Sequence, residues 1–195
     1  MEVRVKRILY AVSAGLLCLP IALIAQQAPP TATSAPANPI TTSERGLYGF
    51  LSGAVVRAAE KMPEENYSFK PTPEVRSFGQ LVGHEADANY MFCSTAIGDT
   101  NPSKESIEKT KTSKADLVAA VKDAVAYCNK AFAGMTDAKG SEMVKVFGRM
   151  NLARLTVLSL NTAHTNEHYG NMVTYMRLKG IVPPTSENAP APASK

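Results

Sequence analysis

The stretch NLARLTVLSLNTAHTNEHYGNMVTYMRLKGIVPP, from Asn151 to Pro184, decides the fold of this chain. It reads as one helix from about Asn151 to Lys179. Gly180 can take the left-handed cap that closes a helix, and Pro183 and Pro184 forbid its continuation. Within it, His164 and His168 stand four residues apart. On a helix that spacing puts both imidazoles on one face, one turn apart, where each can aim a nitrogen at a single ion.

Three more stretches show helical periodicity. The first runs from about Ser43 to Met62, with Leu47, Phe50, Leu51, Ala54, Val55 and Ala58 at spacings of three and four, and Pro63 follows it. The second begins near Ser77, carries Phe78, Leu81, Val82, Ala88, Met91 and Phe92, and stops at Gly98. The third starts at Ser113, with Asp116 placed to complete a capping box, and runs to about Thr136. The connector from Gly140 to Gly148 is ambiguous and has room for a short strand. Four amphipathic helices must bury their apolar faces against one another, so the expected class is all-α, a four-helix bundle over residues 43–186.

Outside that region the chain changes character. Arg4, Lys6 and Arg7, then an apolar run from Ile8 to Ala25, have the pattern of an export signal over residues 1–25, with cleavage expected after Ala25 or Ala28. The alternative is an uncleaved anchor, since the run lies at the lower limit for spanning a bilayer. Cys18 lacks the small preceding residue that lipid attachment wants. Residues 26–42, rich in Ala, Pro and Thr, read as a flexible linker, and residues 187–195 as a disordered tail. The expected location is periplasmic or extracellular, with no stable membrane association once the signal is removed. At 45% apolar and 19% charged residues the composition is that of a globular domain. The basic leader holds half of the formal charge of +4, and what remains is too weak a balance to argue for nucleic acid as a partner.

The chain has only three histidines. His84 lies about a third of the way along the second helix, at a depth from which it can reach the point that His164 and His168 share. Three imidazoles leave a coordination position open for water or substrate, as catalytic sites do and closed structural sites do not. Glu167 completes the string H-x-x-E-H of the inverted zinc peptidases. That group needs a further carboxylate well downstream on another helix, and the only carboxylate after His168 is Glu187, in the tail. Glu167 is therefore placed beside the ligands or in solvent. Asp87, one turn beyond His84, is a candidate to orient a ligand or accept a proton. Asn161 and Tyr175 fall on the face of the histidine pair and are candidate pocket residues. Tyr67, Phe69 and Lys70 are candidates for a lid.

The segment Arg76-Ser77-Phe78-Gly79-Gln80-Leu81-Val82-Gly83-His84 resembles DinB-like proteins. So do His164-Thr165-Asn166-Glu167-His168-Tyr169-Gly170 and Tyr175-Met176-Arg177-Leu178-Lys179-Gly180-Ile181-Val182-Pro183-Pro184. The resemblance covers about residues 44 to 186. It implies up-down-down-up helix order, frequent homodimers, and one divalent metal ion on His84, His164 and His168. Zinc is the first expectation, and nickel, iron and manganese also accept such ligands. Relatives include thiol-dependent transferases and a maleylpyruvate isomerase. The expected function is a metal-dependent enzyme of hydrolase or transferase type acting on a small molecule that the sequence does not specify. The rival readings are a non-catalytic metal- or ligand-binding module and a bundle whose histidines only fill the core. If the second and third helices run parallel, as the resemblance implies, Cys93 and Cys128 lie at one level, some 22 to 24 Å along their helices at about 1.5 Å per residue. A disulfide between them is then expected, the alternative being two buried free thiols.

Overall fold

The computed structural model describes residues 37–187. The leader read at 1–25, the linker as far as residue 36, Cys18 and the tail beyond Glu187 lie outside the described residues. The fold is predominantly helical. Its long helices are α1 (Pro39–Lys61), α2 (Phe78–Ile97), α4 (Lys114–Ala133) and α6 (Arg154–Leu178), with the short helices α3 (Ile107–Thr110) and α5 (Asp137–Gly140) between them. No helix among the described residues is long and apolar enough to cross a membrane.

Local chemistry sets most of the helix ends. Ser77 and Gln80 form a reciprocal capping box at the start of α2: the Ser77 hydroxyl accepts the Gln80 N–H, and the Ser77 N–H donates to the Gln80 side chain. At the other end Gly98, at φ 81°, lets its own N–H and that of Asp99 turn back onto the Ser94 carbonyl. The same left-handed closure ends α6 at Gly180, with φ 71° and the Ile181 N–H on Met176. Ser113 caps α4 by accepting the Asp116 N–H.

Two boundaries differ from the sequence reading. Helix α1 starts at Pro39, inside the stretch read as linker, because its first free N–H groups are satisfied from afar. The Asp137 carboxylate accepts from Ile40 at 3.2 Å and from Thr41 at 2.8 Å, and Asn38 accepts the Asp137 N–H in return. These hydrogen bonds hold the Asp137 carboxyl below the usual aspartate range. Helix α6 starts at Arg154 and not near Asn151, because strand β1 (Met143–Val146) pairs antiparallel with strand β2 (Met150–Ala153) in a hairpin. Its turn passes through Phe147 and Gly148, both at positive φ, as the turns that match strand twist require.

Helices α2 and α4 run in the same direction. Gly79 and Gly83 face Leu117, Tyr90 meets Tyr127, and Cys93 is joined to Cys128 by a disulfide with Cα atoms 5.3 Å apart. Helix α6 runs against α2, with His84 beside His164, Asn89 beside Asn161, and Arg154 donating to the Ala96 carbonyl. The core between these helices falls into two apolar clusters, one around Phe78, Val82, Val121 and Met176, the other around Phe92, Phe132, Val157 and Leu158. Between the clusters lies a layer of buried polar side chains that includes Glu85, Asn89, Asn161 and Thr165.

The disulfide closes a 35-residue separation. Cross-linking such a loop restricts the unfolded chain by about 3 to 4 kcal/mol in the chain-entropy account. Replacing both cysteines by Ser is expected to lower the unfolding free energy by roughly 2 to 4 kcal/mol in a urea titration. Denatured wild-type protein, kept free of reductant, is expected to show no titratable thiol from this pair.

Candidate metal centre

Two helices carry the three histidines. His84 comes from the first half of α2, and His164 and His168 come from the middle of α6. One nitrogen from each ring lies within 4.8 Å of the others, and the ring centroids are 4.4 to 5.0 Å apart. His168 is buried and the other two are half-buried.

Each ring is held through its Nδ1. His84 Nδ1 lies 3.2 Å from Glu108 Oε2, and His164 Nδ1 lies 3.1 Å from Glu85 Oε1. A carboxylate can only accept, so each ring donates from Nδ1, and the neutral form of such a ring has a bare lone pair at Nε2. Those two Nε2 atoms face each other at 3.1 Å. Two imidazole nitrogens bound at about 2.0 to 2.1 Å to one ion stand roughly 3.0 to 3.4 Å apart, so the observed gap fits a shared cation. Asn171 Nδ2 lies 3.3 Å from His168 Nδ1 and donates to it. Burial is the main cause that holds His84 and His168 below the usual imidazole range. Arg76 adds to it at His84, while Glu85 opposes it at His168. A lowered value favours the neutral form of those two rings, the form that binds metal.

The two carboxylates are themselves positioned. Glu85 has no solvent exposure, and its second oxygen, Oε2, has no hydrogen-bond partner among the described residues. A cation held by His164 supplies compensating charge for such a group. Glu108 reaches His84 because α3 presses on α2 at Gly83, where a Cβ would stand 2.7 Å from Glu108 Cα. Its other oxygen, Oε1, accepts Arg76 Nε at 2.9 Å.

The candidate residues divide accordingly. Asp87 does not point at the histidines: its carboxylate accepts the Ile107 and Glu108 N–H groups and the Ser106 hydroxyl, so it caps α3 and holds Glu108 in place. Asn161 is buried below the centre, donating to Asn89 Oδ1 at 3.0 Å and lying 3.7 and 3.6 Å from the two disulfide sulfurs. Glu167 and Tyr175 line a cavity of about 610 Å³ that opens beside His168, together with Arg76 and Asn171. The Tyr175 hydroxyl donates to the Arg76 carbonyl. Tyr67 is no lid, since it is buried with its hydroxyl on the Ala59 carbonyl, and Phe69 packs edge-on against Tyr175. Pro71, Thr72, Glu74, Val75 and Arg76 border the cavity instead.

Sequence reasoning missed Glu85 and Glu108. Glu85 had a signal, because it falls four residues after Leu81 and four before Asn89 on the inward stripe of α2, where a charge is out of place. Glu108 had none, lying in a short helix without apolar periodicity.

The fold and site together define a helical protein whose three convergent histidines could hold a metal ion. The family model of the DinB superfamily matches residues 53–172, and the chain belongs to that superfamily. Among solved structures, a DinB-like protein from Bacillus cereus aligns with a TM-score of 0.65 at 17% identity, covering 73% of this chain and 95% of that one. A DinB-like protein from Bacillus subtilis aligns with a TM-score of 0.59 at 21% identity, covering 71% and 92%. A conserved protein from Enterococcus faecalis aligns with a TM-score of 0.59 at 14% identity, covering 71% and 95%. These likenesses concern the fold. A comparison with curated proteins finds no match.

Two outcomes follow from the geometry. Gly83→Ala is expected to push α3 away from α2 and break the Glu108–His84 bond, lowering the melting temperature and broadening the His84 ring signals in NMR spectra. In metal-free protein, His84 and His168 titrate lower folded than unfolded. Below about pH 6.5, the ordinary imidazole value, the unfolded chain binds protons that the folded one resists, so stability falls with pH there. His168→Phe is expected to flatten that slope between about pH 6.5 and 5 in urea titrations, relative to wild type.

Proposed function

We propose that this is an exported metal-dependent enzyme of the DinB superfamily, of hydrolase or transferase type. In this reading its four long helices form an up-down-down-up bundle around a divalent ion on His84, His164 and His168. The observation that carries it is the convergence of the three histidines, with the Nε2 atoms of His84 and His164 3.1 Å apart, a spacing that a shared cation fits. Zinc suits three neutral imidazoles best, with nickel, iron and manganese as the other candidates. A divalent ion there would supply electrostatic polarisation of a substrate donor atom at the open coordination position.

The rest of the chemistry belongs to the chain. Glu85 and Glu108 keep His164 and His84 in the tautomer that offers Nε2. The cavity beside His168 has the size of a small-molecule site, and Arg76 on its wall can pair with an anionic part of the substrate. With Glu85 and Glu108 both committed to rings, Glu74 and Glu167 are the exposed carboxylates on the cavity wall, and Glu167, next to His168 in the chain, is our candidate acid-base group. An acid-base group at that place favours an enzyme over a passive metal-binding module. Export is supported by the Cys93–Cys128 disulfide, which an oxidising compartment sustains, and by the leader pattern of residues 1–25.

Metal analysis of untagged protein tests the reading. One divalent ion per chain is expected, with the metal lost in the triple variant His84→Ala, His164→Ala, His168→Ala. Glu85→Gln is expected to keep the fold while weakening affinity about ten- to a hundred-fold, as loss of a ligand-orienting carboxylate does elsewhere. Full metal content in the triple variant would sink the assignment.

A further inference from the structure

On the other side of Glu108 from the His168 cavity lies a second one, of about 630 Å³. Tyr67 and Leu117 form an apolar floor. Gly79 keeps that floor open, since a Cβ there would stand 3.2 Å from the Tyr67 ring and 3.3 Å from Leu117. The walls are cationic: Lys70, Lys109 and Lys111 all border the cavity, and none is ion-paired with a described residue. Glu108 is the only carboxylate on the lining, and it is already taken by Arg76 through one oxygen and by His84 through the other. Three ammonium groups around one concavity repel one another and focus a positive potential into it. An anion relieves that repulsion, and the apolar floor gains from covering by a hydrocarbon body.

We propose that this cavity binds a small organic anion, a carboxylate or phosphate head carried on an apolar body about the size of one ring. The lysines take the head, and Tyr67 and Leu117 take the body. The proposal does not depend on the metal assignment, because none of the three histidines lines this cavity.

The test uses the full chain, treated with chelator, at low ionic strength, with titrations of phenyl phosphate, benzoate and inorganic phosphate followed by NMR. Saturable shifts confined to the amides of Gly79, Gln80, Lys109 and Thr112 are expected with the two aromatic anions. Phenyl phosphate is expected to bind about ten-fold or more tightly than inorganic phosphate, because burying most of a ring is worth roughly 1.5 kcal/mol or more. The double variant Lys109→Gln, Lys111→Gln is expected to weaken both aromatic anions about ten-fold. A control, Lys130→Gln with Lys145→Gln, removes the same charge far from the cavity and is expected to leave affinity unchanged. An unaltered amide spectrum elsewhere shows that each variant is folded. Equal weakening by both double variants would mean a net-charge effect and overturn the site. So would shifts that spread over the surface without saturating, or equal affinity for phosphate and phenyl phosphate.

Discussion

The hydrogen bond between His164 and Glu85 is the constraint on which the rest of the molecule depends. A carboxylate without solvent exposure in the middle of a helical core carries a desolvation cost of several kcal/mol unless charge and hydrogen bonds offset it. One of its oxygens has His164, and the other has no partner among the described residues. Asn161 Oδ1 and Thr165 Oγ1, in the same layer, are likewise without partners among the described residues. Each such group costs about 1 to 3 kcal/mol, whereas an aliphatic side chain there would be nearly neutral or favourable. A core that tolerates this layer is shaped by something other than stability, and the three histidines stand at its rim.

Helix α2 is the element through which the parts communicate. Its inward stripe holds Glu85 for His164, Asn89 for Tyr48 and Asn161, and Cys93 for Cys128, so one row of side chains ties α2 to α6, α1 and α4. Another row holds Gly83 and Asp87, one allowing α3 to approach and the other capping it. His84 stands between the rows, and its ring orientation depends on both. The two apolar clusters above and below do the ordinary work of folding. They leave the polar layer at mid-height, where the helices are held from both sides.

The long helices and the grouping of the three histidines were legible because they rest on local signals: periodicity, the Ser77 and Ser113 caps, the glycine stops, and the four-residue spacing of His164 and His168. The disulfide followed once parallel α2 and α4 brought Cys93 and Cys128 to one level. What stayed hidden depends on distant partners. The start of α1 is set by Asp137, the start of α6 by a hairpin whose turn has a non-glycine residue, Phe147, at positive φ, and the orientation of His84 by Glu108. Asp87 is a candidate for the centre from its spacing to His84, yet the free start of α3 claims its carboxylate. Spacing tells which residues share a helix face; it does not tell which competing donor that face will meet.

The cap that Asp137 places on α1 also bears on the order of assembly. The first turn of α1 is completed by a residue 96 to 97 positions later in the chain. Closing so long a loop is slow compared with forming α2 or α4, whose first turns are capped from within three residues. The segment made first therefore acquires its own beginning last. Until residues beyond the middle of the domain have been synthesised and docked, the first turn of α1 stays frayed, so the helix that leads the domain is the last to be finished at its own start.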